Sequence, residues 1–155
     1  MTKRIIKWRL IILVGGLLIG GGTMYYLFNQ PHRDIQAATA DYKLEASALV
    51  NEYLTDAATA NNKYLQDEGE SKIITVSGTI ASISNDLNNQ TVVFLKSKTD
   101  KAGVSCTFTA ETNMNAENLK VGDQVSIKGV IRSGAGYDKD LEMYEDVILE
   151  KCDTI

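Results

Sequence analysis

The chain has 155 residues, of which 44% are hydrophobic and 23% are charged. That length accommodates one modest domain with an appendage. Sixteen basic residues face twenty acidic ones, and Lys3, Arg4, Lys7 and Arg9 precede every acidic residue, so the rest of the chain carries twelve basic residues and a formal charge of −8. This acidity argues against a protein that holds nucleic acid by overall positive charge, because such binding depends on Lys and Arg that neutralise phosphates.

Residues 10–28 contain no charged side chain and predict a single transmembrane helix. At about 1.5 Å per residue, a helix of that length crosses the roughly 30 Å hydrocarbon core of a bilayer. The basic flank at 1–9 predicts a cytoplasmic N-terminus and an extracytoplasmic C-terminal domain. A cleaved signal peptide is the alternative, but the bulky run TMYYLF stands where a small-residue cleavage site is expected. We therefore expect an uncleaved single-pass anchor in the cell membrane, followed by a linker at 29–33.

Residues 34–66 predict a helical segment. Asp34 is placed to begin a helix that runs to about Leu54, and Thr55-Asp56 is placed to begin a second one. An apolar stripe at helical spacing predicts packing against the domain that follows; the alternative is a seam for a partner helix. The stripe consists of Leu49, Val50, Tyr53 and Leu54.

From residue 72 to 155 the apolar pattern changes to the alternation of β-strands. Five strands are predicted, at about 72–84, 91–96, 104–109, 124–132 and 142–152. Between the third and fourth strands, Asn113 or Asn115 can cap a short helix with Met114 and Leu119 as apolar contacts. Gly122 is placed to end it with a positive φ.

This order of elements is that of the OB-fold, a five-stranded Greek-key barrel with a short helix between strands three and four. Gly78 and Gly129 occupy mid-strand positions on the face that their strands bury. We interpret both as corners at which the barrel strands bend, because a glycine leaves the inside of a bend uncrowded. Close approach of a ligand to the backbone is the alternative. The predicted fold class is therefore mainly β, with the barrel preceded by a transmembrane helix and a helical segment.

Residues 34–155 also resemble a known family. The stretches KIITVSGTIASIS, GVSCTF, NLKVGDQVSIKGVI and DVILEKC are similar to those of the bacterial membrane-anchored OB-fold proteins of the tRNA-anticodon-binding-like (tRNA_anti-like) type. The resemblance implies an anchored barrel. It does not imply tRNA binding, since one fold serves many functions.

The sequence contains few residues of the types that catalysis or metal binding requires. The one histidine, His32, lies in the predicted linker, and Cys106 and Cys152 lack zinc-type spacing. The acidic run from Asp138 to Asp146 lacks the spacing of a calcium loop. We expect no enzyme, no cofactor and no metal site.

Binding is the remaining class of function. OB-folds use the face of strands two and three with the flanking loops. On that surface we predict a ligand site formed by Asn88, Asn89, Lys96, Lys98, Ser105, Thr107 and Tyr137. The sequence cannot decide whether Phe94 lies on this face or in the core. The leading hypothesis is a membrane-tethered, non-enzymatic module of the bacterial envelope that binds a protein, peptide or glycan. The alternatives are a single-stranded nucleic-acid-binding domain and an architectural subunit of a membrane complex.

The two cysteines have two interpretations. Strands three and five of an OB-fold are neighbours, so Cys106 and Cys152 can form one disulfide outside the cytoplasm. They can equally remain two buried thiols that pack as small apolar residues. The sequence leaves open which face of the last strand Cys152 joins.

Overall fold

The computed structural model describes residues 2–29, 34–66 and 70–155, with side chains from Leu13 onward. Residues 1–33 and 34–155 form two separate units. The first unit contains one helix, α1 (Thr2–Phe28). Among the residues so described, no helix is long and apolar enough to cross a membrane, so the predicted span at 10–28 is not supported. The side chains of the predicted basic flank, and the predicted linker with His32, lie outside the described residues.

The second unit contains three helices and eight strands. In chain order they are β1 (Tyr42–Glu45), α2 (Ala46–Thr55), α3 (Ala57–Tyr64), β2 (Ile73–Asn85), β3 (Thr91–Leu95), β4 (Val104–Phe108), α4 (Asn113–Ala116), β5 (Gln124–Ser133), β6 (Gly136–Asp138), β7 (Met143–Glu145) and β8 (Val147–Thr154).

The main sheet closes into the predicted barrel. Its strands follow the order β1-β2-β3-β4-β8-β5, and β5 pairs again with β2. Within the barrel, β4 and β8 are parallel, whereas the pairs β2–β3, β3–β4, β5–β8 and β2–β5 are antiparallel. The closed barrel of five strands, β2, β3, β4, β5 and β8, is the OB arrangement, and α4 lies between its third and fourth strands as predicted.

The long strand β2 changes partner halfway along its length. Residues 73–79 pair with β5, and residues 80–85 pair with β3. Gly78 lies at this change, where an added Cβ would be 3.2 Å from Ala46 Cβ. In β5, an added Cβ on Gly129 would be 2.6 Å from Cys152 Sγ. The space beside both glycines is therefore filled by side chains of the same domain.

The barrel interior follows the alternation read from the sequence. Val104, Cys106 and Phe108 of β4 are fully buried. In β8, Lys151 has a φ of 53°, and the pairing with β4 and β5 shifts register around this residue. In a regular strand Ile148 and Cys152 would share a face, because they are four residues apart. The irregularity reverses the alternation, so Cys152 points inward although Ile148 points outward. This settles the orientation that the sequence left open.

The segment before the barrel is only partly helical. The predicted helix from Asp34 is wrong over residues 42–45, which form β1 parallel to β2. Backbone pairing with the free edge of β2 overrides the helical propensity of these residues. Asp34 caps only a turn, accepting a hydrogen bond from Ala37 N at 3.0 Å. The predicted second start is confirmed, because the side chain of Asp56 accepts a hydrogen bond from Thr59 N at the beginning of α3.

Helices α2 and α3 share the core of the barrel. Leu49, Val50 and Tyr53 of the apolar stripe are buried in this core, together with Tyr64 of α3. Four successive residues of β2, 73–76, are buried, although a strand with one solvated face would bury alternate residues. The predicted packing of the stripe against the following domain is confirmed.

The short helix α4 uses other contacts than predicted. Met114 is exposed, so its predicted apolar contact is wrong, and Ala116 is the buried residue of the helix. A helix of four residues buries only a narrow face, and Met114 lies on the other side. Leu119 packs against the core, and Gly122 has a φ of 96°, both as predicted. The predicted end of the helix at Gly122 is wrong, because α4 ends at Ala116 with Glu117 as its C-cap.

Candidate binding face

Strand register defines a continuous outer face on the barrel. Ser82 lies opposite Phe94, Phe94 opposite Ser105, and Ser105 opposite Ile148, which forms one row across β2, β3, β4 and β8. A second row is formed by Ser84, Val92 and Thr107. Since successive side chains of a strand point to opposite faces, these rows lie outside while their neighbours fill the core. We call these seven residues the outer face.

Phe94 belongs to the outer face rather than the core. Val93 and Leu95 on either side of it are fully buried, whereas Phe94 is partly exposed. Its ring lies over Gly103, where an added Cβ would be 2.5 Å from Phe94 Cζ. Gly103 N donates to Asp146 Oδ1 at 2.7 Å, and Gly103 O accepts from Val147 N at 3.0 Å. Gly103 therefore joins the outer face to the chain just after β7.

A hairpin of β6 and β7 stands at that end of the face. The rings of Tyr137 and Tyr144 lie opposite each other with centroids 4.9 Å apart, and Lys101 Nζ is 5.6 Å from the Tyr144 centroid. Tyr137 is 50% exposed. Asp138 Oδ1 accepts hydrogen bonds from Asp140 N at 2.7 Å and Leu141 N at 3.0 Å, which fixes the turn. The sequence predicted a loop over 133–140 and one continuous strand from about 142 to 152, so this hairpin was missed and the predicted start of the fifth strand is wrong.

The turn between β2 and β3 stands at the opposite end of the face. Asp86 Oδ1 accepts hydrogen bonds from Asn88 N and Gln90 N, both at 2.8 Å. Asn89 has a φ of 58°, and its carbonyl accepts a hydrogen bond from Asn113 Nδ2 at 3.0 Å. Asn89 therefore shapes the turn. Asn88 and Thr107, two of the predicted site residues, line one cleft of about 450 Å³ together with Asp86, Gln90, Phe108, Thr109, Glu150 and Lys151.

The two predicted lysines lie elsewhere. Lys96 and Lys98 follow the end of β3 and line another cleft of about 550 Å³, with Thr79 and Val121 on its far wall. Lys96 Nζ donates to Lys101 O at 3.2 Å. The structure thus brings Ser105 and Thr107 to the outer face, Asn88 and Asn89 to the turn at one end of it, Tyr137 to the hairpin, and the lysine pair to a separate cleft.

Sequence reasoning missed three residues around this face: Lys101, Tyr144 and Ile148. A signal for the hairpin was present, because the run GYDKDLEMYE places two tyrosines at either side of an Asp-Lys-Asp turn. No comparable signal marked Ile148, since the irregularity at Lys151 cannot be read from residue types.

The core beneath the face contains the two cysteines as free, buried thiols. Burial raises the pKa of Cys152 well above its ordinary value, and a hydrogen bond with the Cys106 side chain raises it further. The Cys152 thiol is therefore protonated and unreactive at neutral pH. Among the described residues, no three side chains are grouped as a metal site would require.

Comparison with known proteins gives a family. The tRNA_anti-like family model matches residues 1–142. The chain belongs to the tRNA_anti-like family. No curated protein matches it. Among solved structures, this tRNA_anti-like chain is similar to a candidate nucleic acid-binding lipoprotein of Klebsiella pneumoniae subsp. pneumoniae, with a TM-score of 0.54 and 17% identity over 81% of this chain and 99% of that one.

A second solved structure is less similar. Asparaginyl-tRNA synthetase of Entamoeba histolytica matches with a TM-score of 0.38 and 17% identity, over 59% of this chain and 22% of that one. At such identities, the similarity to the Klebsiella protein establishes the fold of this tRNA_anti-like chain and leaves its ligand to be argued from its own residues.

Proposed function

We propose that this protein is a non-enzymatic binding module whose outer face takes up a segment of a protein, peptide or glycan. The observation that carries the proposal is the outer face itself. Phe94, Val92 and Ile148 provide apolar contacts there, and they alternate with four serine and threonine hydroxyls across neighbouring strands. A surface that mixes apolar groups with uncharged donors and acceptors fits an extended ligand that contacts it through apolar groups and hydrogen bonds.

Nucleic acid is the second candidate, and one observation favours it. Phe94 and the pair Tyr137–Tyr144 provide aromatic rings, and Lys101 lies beside them. Rings over a basic groove are what single-stranded nucleic acid requires. The surrounding charge opposes this function, because five carboxylates occur between residues 138 and 146 against one lysine. A phosphate chain on the outer face would pass close to them.

The architectural alternative has less support. It assigned the contact with a membrane complex to the helices between residues 34 and 65. The apolar stripe of α2 is buried against the barrel, so this surface is already used within the domain. A subunit that assembled through the same stripe would have to expose it first, at the cost of its buried apolar area.

The proposal includes a location in the bacterial envelope. Nineteen uncharged residues at 10–28, within the 27-residue helix α1, and the four basic residues before them support a tether with the barrel outside the cytoplasm.

The experiment that tests the proposal compares three kinds of probe on the full chain in detergent micelles. The probes are a glycan array, a phage-displayed library of random 12-residue peptides, and fluorescent single-stranded DNA and RNA of about 15 nucleotides. We expect selective binding from the glycans or the peptides, and an affinity at least tenfold lower for Phe94→Ala. Nucleic acid should bind only weakly at physiological salt, because the domain is acidic.

Ser126→Ala serves as the matched control, because Ser126 also points outward but lies on β5, away from the outer face. It should bind as the wild type does. Submicromolar binding of the oligonucleotides, lost in Phe94→Ala and steeply dependent on salt, would replace the proposal by the nucleic-acid function. Glycan and peptide binding unaffected by Phe94→Ala would place the site elsewhere.

A further inference from the structure

The hairpin of β6 and β7 exposes apolar side chains that nothing in the described part of the chain covers. Tyr137, Leu141 and Met143 are 50%, 67% and 53% exposed. We call these three residues the hairpin patch; Tyr137 lies on one face of the hairpin with Tyr144, Met143 lies on the other face, and Leu141 lies in the turn. Exposed aromatic and methionine side chains are enriched where proteins contact one another.

The hairpin is also held in a fixed shape. The paired strands, the Tyr137–Tyr144 contact and the hydrogen bonds to Asp138 define its turn. At its base, Asp146 accepts the hydrogen bond from Gly103 N. An element that is already ordered loses little conformational entropy when it binds, so its apolar groups contribute more of their burial to affinity.

The charge around the patch is strongly acidic and forms no ion pair among the described residues. Asp138, Asp140, Glu142, Glu145 and Asp146 surround one lysine, Lys139. The ion pairs between described residues join Glu52 to Lys63, Asp41 to Lys72 and Glu150 to Arg132, so none of them involves the hairpin. These carboxylates therefore attract cationic groups and repel acidic or phosphorylated ones.

The base of the hairpin is connected to the outer face. Tyr144 lies beside Lys101, Asp146 accepts a hydrogen bond from Gly103 N, and Phe94 lies over Gly103. Ile148, 39% exposed, follows on β8 two residues after Asp146. A ligand that extends along the outer face thus meets the hairpin at this end.

From these features we infer that the hairpin docks a basic segment of a partner protein, with apolar residues between its Lys or Arg side chains. The inference rests on the proposed function, because it gives the ligand of the outer face as a peptide and adds its chemistry. The apolar side chains of the segment would contact the hairpin patch, and its cationic groups would face the surrounding carboxylates. A glycan offers no charge to match them, and nucleic acid offers the wrong sign.

The test uses selection from the random 12-residue peptide library on the full chain. Three proteins are compared: the wild type, a neutralised hairpin (Asp140→Asn, Glu142→Gln, Glu145→Gln) and Met143→Ser. Asp138 and Asp146 are left intact because they hold the hairpin together. The control neutralises three exposed carboxylates outside the hairpin, at Glu70, Glu111 and Glu117.

We expect the wild type and the control to enrich peptides in which Lys or Arg alternates with apolar residues. A synthetic copy of one enriched peptide should bind the neutralised hairpin at least tenfold more weakly and with a smaller dependence on salt. It should also bind Met143→Ser at least fivefold more weakly. Circular dichroism and thermal unfolding of each variant separate lost binding from lost folding.

Other outcomes overturn the inference, and they differ from those that overturn the proposed function. Enriched peptides without a basic bias, or equal binding by the neutralised hairpin, would remove the hairpin from the site while Phe94→Ala still reported on the outer face. Glycan binding without peptide binding would have the same meaning. Self-association of the wild type, abolished by Met143→Ser in sedimentation experiments, would make a second copy of this chain the occupant.

Discussion

At the scale of single residues, Tyr53 of α2 and Tyr64 of α3 are neighbours whose hydroxyl groups differ in hydrogen bonding. The rings of Tyr53 and Tyr64 lie 6.0 Å apart, and both residues are buried. Tyr64 OH donates to Glu52 Oε2 at 2.8 Å, and the same oxygen accepts from Lys63 Nζ at 2.8 Å. Tyr53 OH is buried without a hydrogen-bond partner among the described residues. Such a hydroxyl has given up its hydrogen bonds to water and gained none within the protein, which destabilises the folded state.

We therefore expect Tyr53→Phe to raise the free energy of unfolding, by up to about 1 kcal/mol. Tyr64→Phe is the matched control and should lower it by about 1 kcal/mol, because it removes a hydrogen bond to a carboxylate. Urea unfolding followed by circular dichroism measures both. Equal losses in the two variants would mean that the Tyr53 hydroxyl has a partner in solution.

The same pair gives a dependence on pH. Burial raises the pKa of Tyr53 to about 12 from its ordinary value near 10. A group whose pKa is higher in the folded state contributes its full stability below the unfolded pKa and loses it as the pH rises through the folded one. The wild type should therefore lose more stability than Tyr53→Phe between pH 10 and pH 12. Parallel curves for the two proteins would show that Tyr53 does not govern alkaline unfolding.

Cys106 and Cys152 are the other residue pair that an experiment can settle. As buried free thiols they should resist alkylation in the native protein and react as two equivalents once the chain is unfolded without reductant. Mass spectrometry after iodoacetamide treatment counts them. No reaction in the unfolded, unreduced protein would show that the disulfide, the other interpretation of the sequence, has formed.

At the scale of elements, the sequence predicted the strands and turns that have a local residue pattern. It missed the elements whose conformation depends on pairing with distant residues. The five barrel strands, α4, the cap at Asp56 and the positive φ of Gly122 carry local signals, namely a period of two, a capping side chain and a glycine. β1 carries no such signal, because its extended shape comes from the free edge of β2 thirty residues later. The site was predicted in part for the same reason. Ser105 and Thr107 follow from alternation in β4, whereas Ile148 depends on the irregular pairing of β8.

The irregularity of β8 at Lys151 can be tested by substitution. Lys151 holds a φ of 53°, which glycine adopts without strain and β-branched residues adopt at high cost. Lys151→Gly should raise the free energy of unfolding by about 0.5–1 kcal/mol, and Lys151→Val should lower it by about 1–2 kcal/mol.

The neighbouring position provides the control. Glu150 is not among the residues with positive φ, so valine should be tolerated there and glycine should destabilise the strand, which is the reverse order. Thermal unfolding of the four variants shows whether glycine or valine gives the more stable protein at each of the two positions. The same order at both positions would show that β8 runs without the irregularity, and Cys152 would then point outward.

At the scale of the whole molecule, the distribution of charge along the chain predicts which side of the membrane each end of the chain occupies. All twenty acidic residues follow residue 28, whereas Lys3, Arg4, Lys7 and Arg9 precede the uncharged stretch at 10–28. Membrane insertion keeps such a basic flank in the cytoplasm. An acidic barrel outside the cytoplasm is also separated from the large pool of cellular nucleic acid, which agrees with an outer face that lacks a basic groove.

The sequence therefore predicts that a reporter enzyme fused after Ile155 is active only if its folding requires export. A second reporter that works only in the cytoplasm should be inactive at the same position. Replacing Lys3, Arg4, Lys7 and Arg9 by glutamine should weaken the bias, so that part of the second reporter becomes active. Full activity of the cytoplasmic reporter on the unaltered chain would place the barrel inside the cell, and the outer face would then have to be tested first against cytoplasmic partners.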